Sequence, residues 1–324
     1  MKVVITDRSF DDLAVERPIL EAAGCVIADP QSRDPAVLAA AVADADAVIT
    51  QFAPLDAAVI AAMGRARAIV RYGIGVDNVD LDAARSRGIP VCNVPDYCID
   101  EVADHTLAFI LALTRQVVPH DARIHAGGWG LASAVGAFRT LASMTCGVVG
   151  FGRIGRGVVR RLVAFGGPVL VSDPLVPVAD VTAAGAEPAP LEQLLAGSDL
   201  VTLHCPSLPQ TRGMIDAAAL ARCRRGLLLV NLSRGDLVDP AGLVAALDAG
   251  QVAGAALDVF APEPIPAGHP ILGRANVILA PHIASVSPAA VARLRTTAAR
   301  LAVMALRGEP LPSIVNGVVP APRA

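Results

Sequence analysis

An α/β protein with two doubly wound, parallel-sheet domains is predicted by three observations. Short β-branched runs alternate with helical runs from residue 2 to about 94, and the same alternation resumes at Cys146. Between a strand-like run and a helical run near the middle of the chain lies the glycine turn Gly150-Phe151-Gly152-Arg153-Ile154-Gly155. Strands alternating with helices form parallel sheets, and strands buried on both faces read as continuous apolar runs. At 324 residues with 54 % hydrophobic composition, the chain can fill two cores.

The elements follow in order. In the first half, strands are expected at 3–6, 25–28, 47–50, 68–71 and 91–94, with helices at 14–23, 35–43, 54–63 and 81–87. Asp100 opens a helix over 101–115 that is apolar nearly all round, at Val102, Leu107, Phe109, Ile110, Leu111 and Leu113. Such a helix is buried on several sides, as a connector or a subunit interface would be. The glycine-rich segment 120–143 reads as loop with short helices; it holds Trp129, as a packing anchor or a ligand contact. Strands then follow at 147–149, 169–172, 200–204, 227–231, 254–258 and 277–280, with a last helix at 288–306.

The glycine turn carries a dinucleotide fingerprint. Gly150 allows the tight turn out of the strand, Gly152 lets a pyrophosphate approach, and Gly155 lets the next helix pack on the sheet. That helix, beginning at Arg153 and Ile154, would aim its N-terminal N–H groups at the phosphates. Asp173 ends the next strand, where it would accept hydrogen bonds from a ribose diol and repel a 2′-phosphate. NAD is favoured over NADP, since Pro174 and Leu175 supply no cation.

Composition removes other classes. A net charge of −3 without a basic block argues against binding nucleic acid or an anionic membrane. The six cysteines have no metal-ligand spacing with histidines and read as reduced small hydrophobes in a cytoplasm; no metal is expected. The apolar run at the N-terminus is too short for a signal peptide, and no run approaches about 20 apolar residues.

Three polar residues stand at or near the ends of strand-like runs in the second half: Arg234, Glu263 and His282. Ligands of open parallel sheets sit at such strand ends. Together with Gly73-Ile74-Gly75-Val76-Asp77-Asn78-Val79-Asp80, Leu203-His204-Cys205-Pro206 with Thr211, Asn231-Leu232-Ser233-Arg234-Gly235, Leu257-Asp258-Val259-Phe260 with Glu263-Pro264, and Pro281-His282-Ile283-Ala284, they make the chain resemble the D-isomer-specific 2-hydroxyacid dehydrogenase family.

The resemblance implies a flavodoxin-like substrate domain, 1–97 plus 296–324, a Rossmann NAD-binding domain, 98–295, a cleft between them, and a homodimer formed at helix 101–115. It implies that Arg234 holds the substrate carboxylate and polarises the keto oxygen. His282 would exchange a proton with that oxygen, and Glu263 would fix the imidazole tautomer. Ile74 and Gly75 would receive the carboxylate on backbone N–H groups, and Asp258 would anchor the nicotinamide carboxamide. His204, Cys205, Pro206, Thr211, Leu232, Ser233 and Ala284 would line the cofactor. The implied substrate is a small 2-keto or 2-hydroxy acid.

Val91-Cys92-Asn93-Val94-Pro95 and Glu101 to Leu107 are similar to the C-terminal-binding-protein branch, which makes an NADH-sensing corepressor the alternative function. A narrower alternative is 3-phosphoglycerate dehydrogenase, for which Arg71 and Arg139 are candidate cations near the Gly73–Gly75 loop. Pocket size would be set by Gln51-Phe52-Ala53 and by residues near Tyr97, Trp129 and Phe138.

Overall fold

The computed structural model describes residues 1–319, which divide into two compact units. Unit 1 runs from Met1 to Tyr97 and resumes at Ser287; unit 2 spans Cys98–Val286. In unit 1, β1 (Lys2–Ile5), α1 (Glu16–Ala22), β2 (Val26–Ala28), α2 (Pro35–Val42), β3 (Ala47–Thr50), α3 (Ala57–Ala62), β4 (Ile69–Arg71), α4 (Leu81–Ser86) and β5 (Val91–Cys92) succeed one another. The strands form one parallel sheet in the order β2-β1-β3-β4-β5. Alternation along the strands sends Val4, Val48, Ile69 and Val91 into the core beneath α2, α3 and α4.

Unit 2 begins with α5 (Ile99–Thr114) and α6 (Val117–His125). It continues through β6 (Cys146–Val149), α7 (Arg153–Val163), β7 (Val169–Ser172), α8 (Val178–Ala183), β8 (Glu187–Pro188), α9 (Leu191–Gly197) and β9 (Leu200–Leu203). Then come α10 (Ala217–Arg222), β10 (Leu227–Asn231), α11 (Pro240–Asp248), β11 (Val252–Leu257) and β12 (Val277–Leu279). Its sheet, also parallel, has the order β12-β11-β10-β9-β6-β7-β8. The order reverses between β6 and β9, and the crevice at that switch point is where open α/β sheets take ligands. Helices α9, α10 and α11 cover one face over Leu203, Leu229 and Leu257, while α5 and α7 pack on the other.

Helix α5 packs on β10, β11 and α7, so its apolar sides are occupied inside unit 2. In helix α6, by contrast, no residue is fully buried among the described residues. The boundary expected at 295/296 is corrected: it falls inside α12 (Pro288–Arg307), which belongs wholly to unit 1. An uninterrupted helix folds as one cooperative piece, and this one starts where Ser287 Oγ accepts from Ala290 N–H (3.0 Å) with Pro288 in the first turn. Among the described residues, no helix is long and apolar enough to cross a membrane.

Candidate active site

The glycine turn leaves β6 at the switch point, and each glycine has a separate physical reason. Gly150 has φ +95°, and a Cβ there would meet Cys205 N at 2.6 Å, so the turn lies directly against the end of β9. A Cβ on Gly155 would sit 2.1 Å from Gly150 O, which sets the close approach of α7 to the turn. At Gly152 an added Cβ meets nothing within 4 Å, so the space beside it is open to a ligand. No side chain caps α7, which leaves its N-terminus to a phosphate. Arg153 is exposed and Ile154 half-buried at this end.

Asp173, just past β7, accepts from Phe151 N–H (2.7 Å) and Leu175 N–H (2.9 Å). It therefore braces the turn, and an ionised carboxylate keeps acceptor capacity for a ribose diol. These residues fit a dinucleotide.

Two histidines stand at strand ends of unit 2, and only one suits proton transfer. His204, after β9, shares a hydrogen bond with Thr202 Oγ1 (2.9 Å), and burial lowers its pKa to about 3, so the ring is neutral at physiological pH. His282, after β12, has its Nδ1 2.8 Å from Glu263 Oε2. Burial works against ionising Glu263, but the hydrogen bond and charge of His282, the Phe260 N–H and the charge of Arg234 outweigh it, and the carboxyl lies below its ordinary 4.5. An ionised carboxylate only accepts, so Nδ1 donates to it, and proton exchange with a substrate would fall to Nε2.

The backbone at His282 is strained, with φ +57°, a left-handed conformation uncommon for a non-glycine residue. Asp258, 1 % exposed, holds it there. Its carbonyl accepts from His282 N–H (2.8 Å), and its carboxylate accepts from Ile283 N–H (2.8 Å) and Ala284 N–H (2.9 Å). The first work of Asp258 is thus to orient the imidazole turn, with acceptor capacity remaining for a carboxamide.

Arg234 stands three residues beyond β10. Asn231 sets that turn, donating to Arg234 O (2.8 Å) and accepting from Ser233 N–H (3.0 Å). Ser233 Oγ donates to Cys205 O, which ties the turn to the end of β9. Gly235 is required because a Cβ there would overlap the Phe260 carbonyl carbon at 2.0 Å. Arg234, Glu263 and His282 are thereby carried on three neighbouring strand ends of one sheet.

The other cofactor candidates divide. Leu232, Cys205 and Ala284 are buried, and burial pushes the Cys205 thiol up to about 11, which keeps it protonated near neutral pH. Thr211 closes its own loop, donating to Pro206 O (2.6 Å) and accepting from Leu208 N–H (2.8 Å). Among the described residues, no group of three or more His, Cys, Asp or Glu converges as a metal site.

In unit 1, Gly73 has φ +149°, and a Cβ there would lie 1.3 Å from Arg71 Nη1, so the guanidinium rests on the Gly73 backbone. Gly73 O accepts from Val94 N–H (2.9 Å) and Ile74 O from Asn93 Nδ2 (2.6 Å). No described acceptor takes the N–H of Ile74 or Gly75. Arg33 and Arg71 both lie over the Phe52 ring, at 5.2 and 5.8 Å from its centroid.

Two expectations are corrected. Arg139 donates to Gly226 O (2.7 Å), at the start of β10 and so at the opposite end of that strand from Arg234. Trp129 is 85 % exposed, so it is not a packing anchor among the described residues. Asn231, Asn93 and Arg71 were placed by the sequence at motif edges, but their bonding roles depend on loops brought together only by folding.

The fold and the glycine turn together define an NAD-binding α/β protein. The model of the D-isomer specific 2-hydroxyacid dehydrogenase NAD-binding domain matches residues 107–284, and the chain belongs to that family. It is 41 % identical to D-3-phosphoglycerate dehydrogenase of Mycobacterium tuberculosis over 86 % of this chain and 52 % of that one. The chain thus spans about half the length of that relative. It is 39 % identical to glyoxylate reductase of Korarchaeum cryptofilum, over 85 % of this chain and 84 % of the relative. The crystal structure of D-lactate dehydrogenase from Aquifex aeolicus, complexed with NAD and lactic acid, aligns with TM-score 0.86 at 28 % identity, over 95 % and 96 % of the two chains.

Proposed function

We propose that the protein reduces small 2-keto acids to D-2-hydroxy acids, and performs the reverse oxidation, with NAD(H). The observation that carries this reading is the 2.8 Å pair of His282 and Glu263, held in a strained turn by Asp258 on the same sheet edge as Arg234. Bound NADH supplies the hydride for the keto carbon. His282 Nε2 gives its proton to the keto oxygen as negative charge develops there, and takes it back during oxidation. Glu263 keeps the imidazole in the productive tautomer. Arg234 offers a planar cationic fork to the carboxylate and keto oxygens. The N–H groups of Ile74 and Gly75 would receive the carboxylate, as the family resemblance implies.

A second reading, oxidation of 3-phosphoglycerate, is supported by the 41 % identity to a D-3-phosphoglycerate dehydrogenase and by Arg71 and Arg33 beside Phe52. The partner surface proposed is a second copy of the chain. Val117, Val118, Ile124, Trp129, Leu131 and Val135 are exposed on α6 and the segment after it, a density of apolar groups typical of interfaces. Six free cysteines fit a reducing cytoplasm.

The test is NADH oxidation with glyoxylate, pyruvate, bulkier 2-keto acids and phosphohydroxypyruvate. Turnover with the uncharged side chains supports the first reading, and turnover confined to the phosphorylated acid supports the second. No turnover with any of them, alongside NADH-dependent capture of a protein partner, would overturn both in favour of a binding role.

A further inference from the structure

The substrate turn of unit 1 is backed by a buried charge cluster that the proposed chemistry does not use. Glu16 on α1 is fully buried and accepts from Tyr72 Oη (2.9 Å). Its two oxygens also accept from Arg295 Nε (2.9 Å) and Nη2 (2.8 Å), a bidentate pair reaching from α12. Arg295 Nη2 donates as well to Asp12 O (2.7 Å) and Asp12 Oδ1 (3.0 Å). Phe10 closes the box, edge-on to Tyr72 at 5.6 Å and facing the Arg295 guanidinium at 5.0 Å.

Stability alone does not explain this cluster, because apolar residues of similar volume commonly replace a buried ion pair without loss. Its position does. Tyr72 is 1 % exposed and immediately precedes Gly73-Ile74-Gly75. Its backbone N–H donates to Thr50 O (2.8 Å), and its carbonyl accepts from Arg71 Nη1 (2.9 Å). With the Gly73 and Ile74 carbonyls engaged by Val94 and Asn93, Tyr72 is the anchor on the N-terminal side of the turn.

We propose that Glu16, Arg295 and Tyr72 form a positioning triad that holds the Gly73–Gly75 turn as a preformed anion receptor, setting substrate affinity without touching the substrate. Burial first, and the Glu16 charge second, raise the Tyr72 phenol, so it remains a donor throughout the working range. Preorganisation of this kind lowers the ordering cost of binding and leaves the hydride and proton steps alone. The inference rests on the proposed function only in assigning the substrate carboxylate to this turn.

Tyr72→Phe keeps the ring in its box and removes one hydroxyl. The KM for the 2-keto acid should rise about tenfold, with kcat and the NADH Kd each within about twofold of wild type. Hydrogen exchange at amides 73–76 should quicken while exchange throughout unit 2 is unchanged. Arg295→Lys, which keeps the charge but not the fork, should raise KM less. Unchanged KM and unchanged exchange in Tyr72→Phe overturn the triad, as does a fall in kcat equal to the rise in KM. A wild-type protein that reduces no 2-keto acid overturns the proposed function instead, and the exchange at 73–76 then decides the triad by itself.

Discussion

The two units each end their sheets in a glycine-bearing turn that offers backbone N–H groups, yet the turns are held by different physics. In unit 2 the turn 150–155 is fixed mostly by main chain against main chain, Gly150 on the end of β9 and Gly155 on Gly150 itself, with the Asp173 carboxylate as a side-chain brace. In unit 1 the Gly73–Gly75 turn adds side chains to its main-chain bond with Val94: Arg71 lies on it, Asn93 holds the Ile74 carbonyl, and Tyr72 ties it to a buried ion pair. The first arrangement suits a cofactor common to a whole family, because backbone contacts tolerate little sequence change. The second can be tuned one side chain at a time, which suits substrates that differ between relatives.

The contrast is broken most severely at the residues that belong to neither turn. His282→Ala should lower turnover by about 10²–10⁴-fold, and Arg234→Ala should cost about 3–4 kcal/mol of transition-state stabilisation. NADH binding should be preserved in both, measured by fluorescence titration beside steady-state kinetics. Equal loss of cofactor affinity would contradict the division of labour.

The turns themselves come next. Gly155→Ala places a Cβ 2.1 Å from Gly150 O and should weaken NADH binding and lower the melting temperature. Gly73→Ala collides with Arg71 Nη1 at 1.3 Å and should raise KM for the keto acid with NADH affinity kept. Isothermal titration with NADH and initial rates across keto acid concentration separate the two; identical defects would show that the turns are not independent.

The smallest effect concerns acid stability. The Glu263 carboxyl is depressed in the folded protein, so its ionic contribution is present at neutral pH and lost as pH falls below the ordinary 4.5 and through the folded value. Glu263→Gln should therefore be slightly less stable than wild type at pH 7, with the difference vanishing in acid. A difference that grows on acidification, in urea titrations at several pH values, would reverse the sign.

The contrast also explains what the sequence could reveal. Gly150, Gly152, Gly155, Arg234, Glu263 and His282 each lie within a few residues of their own strand, so local spacing was enough to find them. The Asp258 clamp spans 25 and 26 residues to the N–H groups it holds, and Glu16 lies 56 residues from Tyr72 and 279 from Arg295. No local period records such pairings. Helix α6 escaped for another reason: none of its residues is fully buried among the described residues, so no core-facing stripe marks it. The 295/296 boundary failed because contact with α1, β3 and β4, rather than any break in the helix, decides to which unit α12 belongs.

The central claim is that His282, held by Glu263, delivers the proton. The direct measurement is the pH dependence of single-turnover keto acid reduction by preformed NADH complex, in wild type and Glu263→Gln. The account predicts a rate that declines as pH rises, because only a protonated ring can donate, and a slower reduction in the variant, whose ring is no longer held in the productive tautomer. A flat wild-type profile from acid to mildly alkaline pH, or coincident profiles for the two proteins, would contradict it.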